Sequence, residues 1–164
     1  MKIAIMSDSH DNWPVLEKAV EKANNMECSI LLFAGDLISP PGIAILEKFN
    51  GEVKLVWGNN EGEKMGLTRK TDASEKIELF GDTYEGELEG LNVFMNHSPR
   101  ITELVAKSGD FDLCVHGHFH DEARIEKVGK TTLINPGGLH LRPGDSPAIV
   151  VFDTKSRVAE RVIL

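Results

Sequence analysis

The residues able to do chemistry fall at five places along the chain: Asp8-x-His10, Gly35-Asp36, Gly58-Asn59-Asn60-Glu61, Asn96-His97 and Gly117-His118-Phe119-His120. In locally extended backbone, side chains two residues apart point the same way, so Asp8 and His10 can share one side and hold a metal ion between a carboxylate and an imidazole. One Asp-x-His is a common chance pattern. Five such pieces in order, drawn from carboxylate, imidazole and amide donors, are much harder to dismiss, and together they point to a metal centre assembled from distant parts of the chain.

Something must carry these pieces to one place. Ile3-Ala4-Ile5-Met6 has the length and character of a buried strand, which puts Asp8 and His10 just beyond its C-terminal end. Trp13 to Asn25 reads as an amphipathic helix, with Val15, Leu16, Ala19, Val20 and Ala23 on one face. Pro14 is tolerated in its first turn, where amides lack intrahelical partners. A second strand, Ile30 to Phe33, ends at Gly35-Asp36; a short helix covers the region from Gly42 to Phe49; a third strand, Val53 to Trp57, ends at Gly58-Asn59. Each glycine lets the chain turn sharply as it leaves its strand. This β-α-β-α-β alternation favours parallel strands joined by right-handed crossovers, with the three strand C-termini along one sheet edge, where α/β sheets bind ligands. Asp8, Asp36 and Asn59 are therefore expected to converge.

The stretch from Glu61 to Thr83 is polar and poorly periodic and reads as a loop carrying a helical turn. Beyond it, Tyr84 to Leu88 and Leu91 to Met95 flank Glu89-Gly90 as a hairpin, and Arg100 to Ser108 places Ile101, Leu104 and Val105 on one helical face. Leu113 to Val115 is a short strand ending at His116-Gly117-His118. Further strands are expected near Ala123 to Val128, Thr131 to Ile134, Ala148 to Phe152 and Val158 to Ile163. Two sheets packed face to face, with helices outside, use all these elements.

Composition excludes several function classes. At 164 residues and 41% hydrophobic content, the chain suits one domain spanning residues 1–164. No apolar run approaches the ~18 residues needed to span a membrane, and the apolar run after Lys2 is too short for a signal-peptide core, so a cytoplasmic location is expected. A net charge of −8 argues against broad electrostatic capture of nucleic acid or an anionic membrane. Any phosphate must be bound locally. Cys28 and Cys114, in or beside apolar segments, read as reduced, buried thiols without a functional role.

Taken in order, Asp8-x-His10, Gly35-Asp36, Gly58-Asn59-x-Glu61, His97 and Gly117-His118-x-His120 resemble the calcineurin-like metallophosphoesterase superfamily over essentially the whole chain. The small size resembles its single-domain phosphodiesterase branch, which includes the structurally related retromer subunit. The resemblance implies an α/β fold, a four-layer αββα sandwich of two mixed sheets flanked by helices. It assigns Asp8, His10, Asp36 and His120 to one metal ion, and Asp36, Asn59, His97 and His118 to a second. It further implies a small phosphate-ester substrate, with Asp36, Asn59, Asn60 and His97 as catalytic residues and Asn59, Arg100 and Arg142 toward the substrate. A homo-oligomer is compatible with it.

Elementary chemistry agrees with that division. The Asp36 carboxylate, at the middle of the converging strand ends, is the natural bridge between two ions held ~3.5 to 4 Å apart. His118 and His120, ~6 to 7 Å apart along an extended chain, could flank such a pair. Two divalent ions replace the basic patch that this acidic chain lacks. The expected reaction is in-line attack on phosphorus by a metal-bridging hydroxide, formed from water whose pKa is lowered towards ~7. Mixed nitrogen and oxygen donors suit divalent transition ions, manganese foremost with iron, nickel or zinc as alternatives, better than magnesium.

Two departures shape the functional expectation. Asn60 stands where many phosphomonoesterases of the superfamily carry a histidine that protonates the leaving oxygen, and an amide is no general acid near neutral pH. Ser98-Pro99-Arg100 follows His97 in place of Gly-His. Diester hydrolysis is therefore expected over efficient monoester hydrolysis. A catalytically weak scaffold or protein-binding module of the same fold is the alternative, although every ligand position is filled by a competent residue. Hydrolysis of another bond type by a single zinc ion would call for His-Glu-x-x-His, which the sequence lacks. His116 is expected to pack or hydrogen-bond behind the site. His140 and Arg142 are open between phosphate contact and solvent, and Trp13 and Trp57 are expected to pack.

Overall fold

The computed structural model describes residues 1–140 and 146–164. The chain runs β1 (Lys2–Met6), α1 (Trp13–Asn25), β2 (Ile30–Phe33), α2 (Pro41–Leu46), β3 (Glu52–Leu55), α3 (Lys64–Asp72), β4 (Ile77–Leu79), β5 (Thr83–Leu88), β6 (Leu91–Asn96), α4 (Pro99–Ser108), β7 (Leu113–Val115), β8 (Arg124–Val128), β9 (Thr131–Asn135), β10 (Ala148–Asp153) and β11 (Val158–Ile163). One six-stranded sheet has the order β11-β10-β1-β2-β3-β4, and a five-stranded sheet has the order β5-β6-β7-β9-β8.

Both sheets are mixed. β1, β2, β3 and β4 are mutually parallel, with β10 antiparallel to β1. In the second sheet β6, β7 and β9 are parallel, and β5 and β8 pair antiparallel at its edges. The central strands are apolar throughout because both of their faces are covered. Ile3, Ile5 and Leu32 meet Val93, Val115 and Ile134 between the sheets. The other face of β1 and β2 presents Ala4, Met6, Leu31 and Phe33 to α1 and α2, which bring Leu16, Ala19 and Leu46. α4 covers the second sheet, where Ala106 packs with Phe94, Cys114 and Leu133. The result is the four-layer αββα sandwich that the resemblance implies.

Three local expectations are corrected. Glu61 to Thr83 is not mainly loop but carries α3 and β4; α3 buries only Leu67 and Thr71, so its sequence has almost no apolar stripe to announce it. On α4 the buried residues are Pro99, Thr102 and Ala106, whereas Ile101 and Leu104 are 46% and 61% exposed. Thr102 can be buried there because its hydroxyl donates to Asn96 O and Ser98 O. Trp13, expected to pack, is 42% exposed.

Candidate metal centre

The loops after β1 and β2 are laced together before any side chain is considered: Asp8 N donates to Gly35 O at 2.9 Å and His10 N to Asp36 O at 3.2 Å. The backbone that aims these residues is not extended. Asp8, His10, Asp11, Asp36 and His118 all have positive φ, from 44° to 72°, a region that non-glycine residues rarely occupy. Such strain concentrates where surrounding structure over-determines a functional geometry. The shared direction of Asp8 and His10, and the placement of His118 and His120, therefore come from tight turns rather than strand alternation.

Space for the carboxylates is made by absent side chains. A Cβ at Gly58 would stand 2.0 Å from Asp36 Oδ1, and one at Gly117 would stand 2.0 Å from Ser7 Oγ and 2.6 Å from Asp8 Oδ2. Glu61 fastens the loops beneath: its carboxylate accepts from Leu37 N, Ile38 N and Gly58 N at 3.3, 2.8 and 3.0 Å. It does not turn into the site to orient a group at position 60.

Two donor sets result. Asp8, His10, Asp36 and His120 each offer a ligand atom within 4.8 Å of the others among the described residues. Here His120 Nε2 lies 3.0 Å from Asp8 Oδ1, and His10 Nε2 lies 3.3 Å from Asp36 Oδ2. In the second set, Asn59 Oδ1 lies 2.9 Å from His97 Nε2 and 2.8 Å from His118 Nδ1. His97 Nε2 is 3.5 Å from Asp36 Oδ2, so one Asp36 oxygen faces both sets. Donors bound at ~2.0 to 2.2 Å to a common ion are separated by roughly 3.0 to 3.5 Å in octahedral or tetrahedral arrangement, close to these spacings.

The donors' hydrogen bonding also fits a cation. His97 Nδ1 donates to Ala34 O at 2.7 Å, which leaves Nε2 of the neutral ring with its lone pair toward Asn59 Oδ1. Two acceptors facing one another at that distance call for a positive charge between them. His10 Nε2 is likewise buried without a well-formed hydrogen bond. Asp8 and Asp36 are fully buried, and burial by itself raises a carboxyl pKa. The His10 ring beside both, joined by hydrogen bonds from His120 at Asp8 and from Asn60 at Asp36, more than offsets it and holds both below the usual carboxylate range. The same carboxylates, Asp36 first and then Asp8, raise His10 from 6.5 to about 9. This is negative charge arranged to receive cations.

The family model for the calcineurin-like phosphoesterase superfamily domain matches residues 1–157. The chain belongs to this superfamily. It is 30% identical to phosphodiesterase MJ0936 of Methanocaldococcus jannaschii, over 100% of this chain and 99% of that one. Among solved structures, an archaeal phosphodiesterase superposes with a TM-score of 0.90 at 32% identity, with both chains fully covered. Vps29 of Entamoeba histolytica superposes with a TM-score of 0.67 at 16% identity, over 100% of this chain and 99% of that one, a likeness of fold alone.

The sequence-expected residues of this superfamily member divide clearly. Asp8, His10, Asp36, Asn59, His97, His118 and His120 are brought together. Asn60 joins them by holding Asp36, with its backbone and side-chain amides on Oδ1 and Oδ2. Arg100 is exposed in the first turn of α4, with no hydrogen bond to the cluster among the described residues. Arg142 lies outside the described residues. His116 is buried, donates through Nδ1 to Gly117 O at 2.9 Å, and has its pKa lowered by burial. Trp57 is partly buried, with Lys64 Nζ 5.2 Å from its ring. Trp13 lines a cavity of about 810 Å³ with Asp11, Ser39, Pro40 and Arg69.

Sequence reasoning missed two supports. Glu61 lies within a quoted motif, but its partners are backbone amides that no side-chain pattern reveals. Asn135, at the end of β9, donates to Phe119 O and Glu122 O at 2.8 and 3.0 Å and so shapes the loop that carries His118 and His120. A turn-forming Asn-Pro-Gly is its only sequence signal.

Proposed function

We propose that this chain is a dinuclear-metal-dependent phosphodiesterase acting on a small phosphate ester. The carrying observation is the pair of donor sets that share Asp36 Oδ2 in a superfamily member. Asp8, His10, Asp36 and His120 would hold one divalent transition ion, and Asp36, Asn59, His97 and His118 the other. Such ions supply Lewis acidity toward phosphoryl oxygens and lower the pKa of water. The protein's part is to set donor geometry. Ala34 O fixes the His97 tautomer, Asn60 fixes Asp36, and Glu61 fixes the loops behind them.

The exposed residues Asn59 and His118 leave the second ion's side open to substrate. The preference for diesters rests on Asn60, whose amide is committed to Asp36 and is no proton donor to a leaving oxygen. Residues 1–164 act as one domain of cytoplasmic location, and manganese is the first ion to try, followed by iron, nickel and zinc. Deciding data come from a screen of those ions against a diester and a monoester sharing a nitrophenol leaving group, with metal content measured alongside. Activity that needs added metal and falls at least ~10²-fold in Asp36→Ala, with both ions lost, supports the reading. Full metal occupancy and an unchanged rate in Asp36→Ala would sink it.

A further inference from the structure

His10 and His120 belong to two groups at once: one with the carboxylates Asp8 and Asp36, the other with His140. The His140 ring centroid lies 4.2 Å from that of His120 and 5.1 Å from that of His10. A ring nitrogen of each of these three histidines lies within 4.8 Å of the other two. Two nitrogens bound to one ion at ~2.0 to 2.1 Å are at most ~4.2 Å apart, so only a small closing movement separates these rings from a common ion.

The loop bearing His140 is already stitched to the site. His140 N donates to Asp8 O at 3.1 Å, Leu139 N to Ser7 O and Asp8 O at 3.2 and 3.1 Å, and Gly138 N to His120 O at 3.1 Å. Gly138 also keeps the space open. A Cβ there would stand 2.9 Å from His140 Nδ1 and 3.1 Å from His120 Cβ, and Gly138 is not among the positive-φ residues, so room rather than backbone conformation is what glycine supplies.

We propose that His140 is a third imidazole ligand of the ion held by Asp8, His10, Asp36 and His120, and that it shifts this position toward zinc or nickel and away from manganese. Added imidazole favours the later ions because nitrogen donors suit zinc and nickel, whereas manganese is better served by oxygen. The inference rests on the metal-centre reading above.

The test compares wild type with His140→Ala and His140→Gln, the second keeping a polar side chain without a ring nitrogen. Zinc and manganese affinities are measured against a competing chelator. Ring-nitrogen NMR of histidine-labelled protein, with and without zinc, reports which imidazoles bind metal. Expected are a zinc-dependent ring-nitrogen shift for His140, a loss of at least ~10-fold in zinc affinity in both variants, as removing even a supporting partner costs 10- to 100-fold, and a smaller loss for manganese. A His140 resonance that ignores zinc, or equal losses for both ions with rescue by Gln, would overturn the assignment and leave a packing role. Wild type that takes up no zinc at all would instead count against the metal centre itself.

Discussion

Asn60 grips both oxygens of Asp36, its backbone amide donating to Oδ1 and its side-chain amide to Oδ2, each at 2.8 Å. At the sequence level this residue is conspicuous for the acid it cannot be. In the structure its amide has a different task, because the oxygen it holds is the one that faces both donor sets. A hydrogen bond to a charged group is worth ~1.5 to 3 kcal/mol. Asn60→Ala should therefore weaken both ions together, on the order of 10-fold, by chelator competition. Asn60→His, compared at matched metal occupancy, should raise monoester over diester turnover by part of the ~10² to 10⁴-fold that general acids supply. A ratio that stays put removes Asn60 as the source of diester preference.

Gly58→Ala should behave like loss of a metal ligand. Its new Cβ would meet Asp36 Oδ1 at 2.0 Å and Asp36 N at 2.3 Å, neither of which can yield without moving the carboxylate. A stability cost of ~1 to 3 kcal/mol from overpacking should accompany the loss of bound metal. Gly62→Ala is the control, since its nearest neighbours, both in Ile38, stand at 3.6 Å. Elemental analysis and thermal melts of the two variants distinguish a specific effect from general intolerance of alanine in these loops.

Without metal, stability should fall as the solution becomes alkaline. His10 is raised from 6.5 to about 9, so the stabilisation it contributes is complete below about 6.5 and lost as pH rises through about 9. Asp8 and Asp36 are lowered, so theirs is present above 3.8 and lost as pH falls further. The metal-free protein should thus melt at its highest temperature in mildly acidic to neutral solution and progressively lower toward pH 9. An ion displaces the His10 proton and removes that decline. Melts with and without chelator across this range check both halves, and a flat metal-free profile would contradict the His10 assignment.

Cys28 and Cys114 should stay silent toward a thiol reagent near pH 8 in the native protein. Burial pushes them up to about 11 and about 12, and both side chains lie inside apolar clusters. The thiolate is the reacting form, so exposure and ionisation are both withheld. Both should react once denaturant unfolds the chain. Rapid native reaction of either would show an opening of the α1 or α4 layer.

What the sequence made legible was whatever repeats at the period of its element. α1 buries Val15, Leu16, Ala19, Val20 and Ala23, the face its spacing predicts, because a thirteen-residue helix over a sheet must present an unbroken stripe. α3 was opaque for the converse reason: only Leu67 and Thr71 of its residues are buried, too few to make an apolar stripe. On α4 the apolar Ile101 and Leu104 misled, since burial followed the small Ala106 and the hydrogen-bonded Thr102. The residues brought together at the candidate centre could be named because their types are diagnostic. Their geometry could not, because it rests on left-handed turns at Asp8, His10 and His118 and on amide grips such as Glu61, which hydropathy does not encode. His140 escaped assignment because its partners are distant in the chain and the residue between the loops is only a glycine.

The proposed ligands of the two donor sets run from position 8 to position 120, with Asp8 and its partner His120 separated by 112 positions. A ribosome therefore releases the Asp8-His10 half of the centre long before the other half exists. Metal cannot nucleate folding by clasping neighbours, as it does in a zinc finger, where ligands lie within one short unit. Both sheets must have found each other first, and an ion would arrive as a late lock across their seam. A chain stopped before β7 would carry Asp8, His10, Asp36, Asn59 and His97 but lack His118 and His120, and would never close the site.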